Sequence, residues 1–166
     1  LLNSNQASYN SGNWNSTTHT SSVINLGGGG VDANVSSGTY IAYCFAEING
    51  YSSFGSYTGN EDANGIFVYT GFKPALVLIK KSSASTAQNW RIIDNKRLGY
   101  NPKNHPLYPS AQASEGTGET PLDFVSTGFK LRSTNGAVNS NGTNYIYMAF
   151  AETPMVGTNN VPTTAR

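Results

Sequence analysis

The sequence predicts an all-β protein, an antiparallel β-sandwich of the jelly-roll or lectin-like kind with an internal pseudo-repeat. Asn, Ser, Thr and Gly account for 73 of the 166 residues, whereas charged residues make up only 11 %. Gly, Asn, Ser or Pro interrupts nearly every window that could form an amphipathic helix, and each of them disfavours a helix interior. Aromatic residues add a further 11 %, which is enough to build a core.

Six segments carry strand patterns, and the strongest is 40–47, which we predict to be buried on both faces. Within it, Cys44 is interpreted as a small buried hydrophobic residue rather than a nucleophile. In the fourth segment, Trp90 and Ile92 are placed on the inward face, and the fifth is predicted to be apolar on one face and cationic on the other. The other five segments are 66–69, 75–80, 90–94, 129–132 and 144–152.

Two of the strand patterns are copies of one another. Residues 40–47 and 145–152 lie 105 positions apart and share five identities in eight positions, which favours duplication of one supersecondary unit over chance. We therefore expect the two octets to occupy equivalent places in the fold. The residues expected to coincide and to point into the core are Phe45 with Phe150 and Ile41 with Ile146.

The repeat also suggests how the chain is organised. Pseudo-repeats are predicted at 1–47 and 107–152, with a unique segment at 48–106 between them. Residues 1–153 are predicted to form a single β-sandwich domain and 154–166 a C-terminal tail. Since the chain shows no signal peptide and begins with Leu rather than Met, we expect it to be part of a longer polypeptide.

The composition argues against several classes of protein. A net charge of +1 provides no general attraction to nucleic acid or to an anionic membrane. No apolar run approaches the roughly 18 residues that a membrane helix needs. The single cysteine excludes a disulfide framework within the chain and a Cys-rich zinc site.

No pattern predicts catalysis or a metal site. His19 and His105 lack a second histidine or a carboxylate at metal-binding spacing, and the chain contains no nucleophile elbow. The alternation of Asn60, Asp62 and Asn64 could supply oxygen ligands to calcium, but the glutamate that closes a calcium loop is missing. A solvated turn is therefore the favoured interpretation of this segment.

Four tyrosines in loop-like segments are the candidate ligand-binding residues: Tyr51, Tyr57, Tyr100 and Tyr108. Sugar-binding surfaces stack pyranose rings on aromatic side chains and surround them with amides, both of which this chain has in excess. Seven of the ten cationic residues fall within 73–103. This run indicates either a basic face for an acidic ligand or the exposed faces of two strands kept soluble by Lys and Arg.

Several long motifs are specific enough to suggest a family. They are YIAYCFAE at 40–47, GYS at 50–52, FGSYTGN at 54–60, FVYTGFKPA at 67–75, DNKR at 94–97 and AFAE at 149–152. Together they resemble an uncharacterised domain of virion proteins of tailed bacteriophages, especially marine ones. In those phages the domain usually lies in large, repetitive, tail-fibre-like proteins. The resemblance implies a lectin-like β-sandwich and carries over no catalytic residues.

The resemblance implies a non-enzymatic virion structural protein, tail-fibre-like, that acts in host attachment, in fibre architecture or in both. We expect no cofactor and a location in the virion, after assembly in the bacterial host cytoplasm. The expected partners are further copies of the chain, as a trimer or a repeating assembly, other virion proteins and a host surface glycan. Nucleic acid and membrane insertion are not expected. Two alternatives stay open: a component of a polysaccharide depolymerase, and a secreted bacterial surface or filament protein with the same domain.

Overall fold

The fold is all-β, as predicted. The computed structural model describes residues 19–27, 34–83, 87–97, 101, 105–119 and 121–153. Strands are the regular secondary structure of these residues, and none of them lies in a helix. The chain divides into two compact units, one formed within Ser8–Phe45 and the other containing the residues from Ala46 onward. The predicted tail at 154–166 lies outside the described residues, and the assignment of 1–153 to one domain stays a prediction.

All seven strands belong to the unit that begins at Ala46. They are β1 (Ser52–Thr58), β2 (Phe67–Tyr69), β3 (Pro74–Lys81), β4 (Arg91–Asp94), β5 (Leu122–Val125), β6 (Gly128–Leu131) and β7 (Asn144–Ala151). A four-stranded sheet has the order β1-β7-β3-β4, and a three-stranded sheet has the order β2-β6-β5. Every pairing is antiparallel, so the sandwich-like fold predicted from the sequence is confirmed.

The core lies between the inward faces of the two sheets and is rich in aromatic side chains. Tyr57 of β1 stacks on Tyr145 of β7 with ring centroids 5.0 Å apart. Phe129 of β6 packs edge-on against Tyr57 and against Tyr147, at 6.2 and 5.4 Å. Phe129 and Leu131 are fully buried, while Lys130 between them is half-buried, which confirms the predicted apolar and cationic faces of this strand.

Strand β4 turns the opposite face inward from the one predicted. Ile93 is fully buried and Arg91 is 6 % exposed, whereas Trp90 and Ile92 are only half-buried. The reason is the register with β3, which places Ile93 opposite Val77, itself fully buried in the core. The sequence predicts Arg91 on the exposed face because it does not show that Glu119 compensates the charge of this arginine in the fold.

Residues 40–47 do not form the predicted strand. They lie in irregular backbone, and Ile41, Tyr43 and Phe45 are 80 %, 82 % and 61 % exposed. Cys44 is exposed as well, so its interpretation as a buried residue is wrong. The physical reason is pairing: a strand pattern becomes a strand only where neighbouring backbone accepts it. We call residues 40–45 the apolar segment.

The second octet does form a strand, but with a different inward face from the one expected. In β7 the inward residues are Tyr145, Tyr147 and Ala149. Ile146 is 42 % exposed, and Phe150 is half-buried against the rings of Tyr51 and Phe54. The predicted core positions of the paired isoleucines and phenylalanines are therefore wrong. The wider division into pseudo-repeats falls largely on residues outside those described and stays a prediction.

Two sheet edges are closed by groups that belong to no strand. At β4, the backbone of Ile92 exchanges two hydrogen bonds with Leu107, at 2.9 and 3.0 Å. At β5, the side-chain amide of Asn101 accepts a hydrogen bond from the N–H of Phe124 and donates one to its carbonyl, both at 2.8 Å. Because unpaired edges attract other strands, these caps protect one edge of each sheet from non-specific pairing.

Candidate functional site

Three of the four tyrosines predicted to bind a ligand are described, and each lies in a different setting. Tyr57 lies in strand β1 rather than in a loop, is 8 % exposed, and donates a hydrogen bond to the carbonyl of Val138 at 2.8 Å. Burial and then the neighbouring Tyr145 raise its pKa well above the usual value, so it stays neutral inside the core. Tyr51 is half-buried with its ring against Phe150. Tyr100 lies outside the described residues.

Tyr108 belongs to a structural ion-pair cluster. Its hydroxyl donates to Glu119 Oε1 at 2.7 Å, and burial followed by this carboxylate raises the pKa of the phenol. Arg91 donates to the two oxygens of Glu119 through Nε and Nη2, at 3.2 and 3.0 Å, and its guanidinium carbon lies 5.3 Å from the centre of the Tyr108 ring. The cluster neutralises the buried arginine of β4.

The cationic run does not form one basic face. Lys80 and Lys81 are buried, and Lys80 donates to the Lys81 carbonyl at 3.0 Å. Burial, followed by the charge of Lys81, lowers the pKa of Lys80. Arg97 is paired with Asp94 and with Glu115, both at 2.7 Å. The cations therefore form neither the predicted basic face for an acidic ligand nor the predicted exposed strand faces. Lys80, Lys81 and Arg91 are buried, and Arg97 is neutralised by carboxylates of the same domain.

The pair between Arg97 and Asp94 makes the domain sensitive to acid. Burial alone would raise the pKa of Asp94, but hydrogen bonds from the Arg97 side chain and from the N–H groups of Lys96 and Arg97 lower it below the usual value. A carboxyl whose pKa is depressed by folding adds stability above its unfolded pKa, and this stability is lost as the pH falls through the folded pKa. The fold should therefore weaken below about pH 4.

Asp94→Asn tests this pair. We expect the substitution to lower the free energy of unfolding at neutral pH by about 0.5–1 kcal/mol, since water partly screens the pair, and to flatten the loss of stability in acid. Urea unfolding from pH 7 downward measures both effects. Glu61→Gln, at an exposed carboxyl, is the control and should retain the native acid profile. An Asp94→Asn chain with an unchanged acid profile would contradict the assignment.

The segment considered for calcium is a turn held by its own side chains. Asn60 Oδ1 accepts the Asp62 N–H at 3.3 Å, and Asp62 Oδ1 accepts the Asn64 N–H at 2.8 Å. The fully buried side chain of Asn139 also holds this turn in place. Its Oδ1 accepts a hydrogen bond from the Asn60 N–H at 2.9 Å, and its Nδ2 donates to the carbonyls of Asp62 and Ser133 at 3.0 and 2.9 Å. Residues 60–64 are exposed, in agreement with the predicted solvated turn, and these contacts fix its conformation.

The two histidines play local roles. His19 Nδ1 accepts the Asn25 N–H at 3.1 Å, and His105 Nδ1 lies 3.8 Å from Glu115. Across the described ranges, no three His, Cys, Asp or Glu side chains are grouped as they would be around a metal ion. The same residues contain no helix that is long and apolar enough to cross a membrane.

A polar pocket that the sequence did not reveal lies where the chain enters β1. Its volume is about 360 Å³, and its lining residues are Glu47, Asn49, Ser52, Ser53 and Thr70. Glu47 is held in place because its Oε1 accepts hydrogen bonds from the Ser53 hydroxyl at 3.2 Å and from the Phe54 N–H at 3.1 Å. The turn between Ile48 and Ser52, which exchange backbone hydrogen bonds, carries Asn49 into the pocket.

An exposed tyrosine lies close to the pocket. Tyr69, the last residue of β2, is 67 % exposed. Its hydroxyl and Asn49 Oδ1 each lie 3.8 Å from the position that a Cβ would take on Gly71, which has a positive φ of 82°. The left-handed conformation of this glycine thus allows the chain to turn sharply between the tyrosine and the pocket wall.

Fold and site together define a sandwich-like all-β domain with a small polar pocket beside its first strand. The chain belongs to the family described as Domain of unknown function (DUF7483), which matches residues 1–154. A search of curated proteins and a search of solved structures found no match.

Proposed function

We propose that this chain is a non-enzymatic structural domain of a tail-fibre-like virion protein of a tailed bacteriophage, and that it acts by assembling with further copies and with other virion proteins. Assembly would take place in the bacterial host cytoplasm, and the product would be part of the virion. The sequence motifs supply the phage context. The observation that carries the assembly function is the exposure of the apolar segment.

The apolar segment has the properties of an interface rather than of ordinary surface. Ile41, Tyr43 and Phe45 are all more than 60 % exposed and alternate along the chain, and residues 40–46 include no charge. Burial of apolar surface contributes about 25 cal/mol per Å² removed from water, so these side chains provide a strong drive toward a partner. Exposed apolar stretches of this kind mark interaction sites in soluble proteins.

The match between the apolar segment and β7 indicates what kind of contact the segment makes. The β7 octet forms a strand because β1 and β3 pair with it on either side. The same residue pattern at 40–47 has the alternation of a strand but lies in irregular backbone and is largely exposed. We expect it to pair as a strand when copies of the chain associate.

Self-association should depend on Tyr43 and Phe45. We expect the chain to form a homo-oligomer in sedimentation velocity, and Tyr43→Ser combined with Phe45→Ser to shift it toward monomer. Because both side chains are exposed, the far-UV circular dichroism of the folded chain should be retained. The melting temperature should fall only by the amount that association contributes. Tyr69→Ser, at a tyrosine that is also mostly exposed, is the matched control and should leave the oligomer intact. A monomer at high concentration for the unsubstituted chain would overturn the assembly function.

The depolymerase alternative has less support. Retaining and inverting glycosidases use two carboxyl groups that flank the scissile bond. In the polar pocket, Glu47 is the one carboxylate among the described lining residues. Glu119 is ion-paired with Arg91, and Glu115 is ion-paired with Arg97, so both carboxylates have a structural role.

A further inference from the structure

We propose that the polar pocket beside β1, together with the exposed ring of Tyr69, is a binding site for a neutral saccharide. The site does not depend on assembly, because all of its residues belong to the unit that begins at Ala46. Carbohydrate ligands combine an apolar face of C–H groups with an edge of hydroxyls. A saccharide site therefore needs an accessible aromatic ring beside a small set of oriented polar groups.

The polar groups of the pocket divide into a floor and a rim. The hydroxyls of the floor donate their hydrogen bonds within the protein. The Ser52 hydroxyl donates to the Ala46 carbonyl at 2.8 Å, and the buried Thr70 hydroxyl donates to the Phe72 carbonyl at 2.7 Å. The rim consists of the exposed Glu47 and Asn49. Within the described residues, neither the second oxygen of Glu47 nor the amide of Asn49 has a side-chain hydrogen bond.

The rim is ready to bind because its carboxylate is already oriented. The Ser53 hydroxyl and the Phe54 N–H fix one oxygen of Glu47, and the other oxygen is left to accept a hydrogen bond. The amide of Asn49 adds both a donor and an acceptor. This combination matches the hydroxyl edge of a sugar, and a fixed geometry reduces the entropy lost on binding.

The aromatic part of the site lies on β2. Phe67 and Tyr69 are two residues apart on one strand, so their side chains lie on the same face, and they are 48 % and 67 % exposed. Gly128 on β6 lies opposite Tyr69, and a Cβ there would come within 2.9 Å of the Phe67 ring. The absence of a side chain at Gly128 leaves room for the Phe67 ring, and the exposure of Tyr69 leaves its own ring accessible for stacking.

The charge of the rim decides which saccharides fit. Glu47 is an acceptor with a negative charge, and it would repel the carboxylate of a uronic acid. The site should therefore prefer neutral hexoses and N-acetylhexosamines to acidic sugars. A single shallow site binds weakly, so several copies in one assembly would be needed for firm attachment to a polysaccharide.

Amide NMR titration of the full chain tests the site. The probes are glucose, galactose, N-acetylglucosamine and glucuronate, added at millimolar concentration to the Tyr43→Ser, Phe45→Ser chain, so that self-association does not interfere. We expect at least one neutral sugar to shift the amides of residues 47–53 and 69–71, and glucuronate to bind more weakly. Tyr69→Ala should weaken binding about tenfold by removing the stacking face.

Glu47→Gln preserves the shape of the rim and removes its charge, so it should bring the affinity for glucuronate close to that for the neutral sugar. Ile146→Ala, which removes an exposed apolar side chain from β7, is the control and should leave binding unchanged. The proposal is overturned if none of the sugars shifts these amides, if Tyr69→Ala binds as tightly as the parent chain, or if glucuronate is preferred. None of these outcomes bears on assembly, which sedimentation measures separately.

Discussion

Tyr145→Ala should lower the free energy of unfolding by about 4–5 kcal/mol, because it removes a large side chain from the centre of the core. Tyr145 is fully buried and its ring stacks on Tyr57. Its hydroxyl also donates to the Gly136 carbonyl and accepts the Ser140 N–H, both at 2.8 Å, and so it ties the loop before β7 to the strand itself. The substitution would lose the packing and leave both backbone groups without this partner.

Tyr145→Phe separates the two contributions. It keeps the ring and removes the hydroxyl, so we expect a loss of about 1–3 kcal/mol. Urea unfolding of both variants measures the difference, and Tyr69→Ala serves as a control with little effect because its side chain is exposed. If the alanine variant were as stable as the phenylalanine variant, the ring could not be packed as described.

Asn139→Ala should cost about 3 kcal/mol, although it removes only a few atoms. The side chain of Asn139 satisfies three backbone groups, namely the Asn60 N–H and the carbonyls of Asp62 and Ser133. Because Asn139 is fully buried, removal of its amide leaves these groups unsatisfied at a site of poor access to water, and each unsatisfied buried group costs about 1–3 kcal/mol.

Asn135→Ala is the matched control, since it removes an asparagine from the same loop. Asn135 is exposed, and its side chain accepts a single hydrogen bond from the Ala137 N–H at 2.9 Å. We expect a loss of about 1 kcal/mol or less. Thermal unfolding of the two variants, compared with the parent, measures the contrast. Equal losses would show that Asn139 contributes as a turn residue and not as a buried anchor.

The strands that the sequence predicted well are those whose own residues carry the pattern. Segment 75–80 became β3 (Pro74–Lys81), and 144–152 became β7, because continuous apolar residues suit strands in the middle of a sheet. Strand β1 was missed, since its Ser and Gly residues are typical of loops. It is a strand because β7 pairs with it along its whole length, and sequence reasoning does not show such a distant contact.

The candidate site was harder to predict than the fold for the same reason. The Gly, Ser and Thr residues around Tyr57 predict a loop, and a loop position gives no indication that its side chain is buried. The polar pocket combines residues from the turn before β1 with Thr70 after β2, and no local motif links them. Arg91 was likewise separated from Glu119 by 28 positions, and only the folded chain shows that they are paired.

The place of β7 in the four-stranded sheet has a consequence for how the protein is made. This strand comes last among the seven, yet it lies between β1 and β3 and joins the two halves of the sheet. A ribosome adds about 5–20 residues per second, so β1 must wait several seconds after its own synthesis before its partner emerges. During that interval the nascent chain holds β1 and β3 without their shared neighbour. Unpaired strand edges are prone to aggregate, so nascent chains close together on one messenger RNA should be most vulnerable at this stage. A chaperone that covers these edges would be most effective in the same interval.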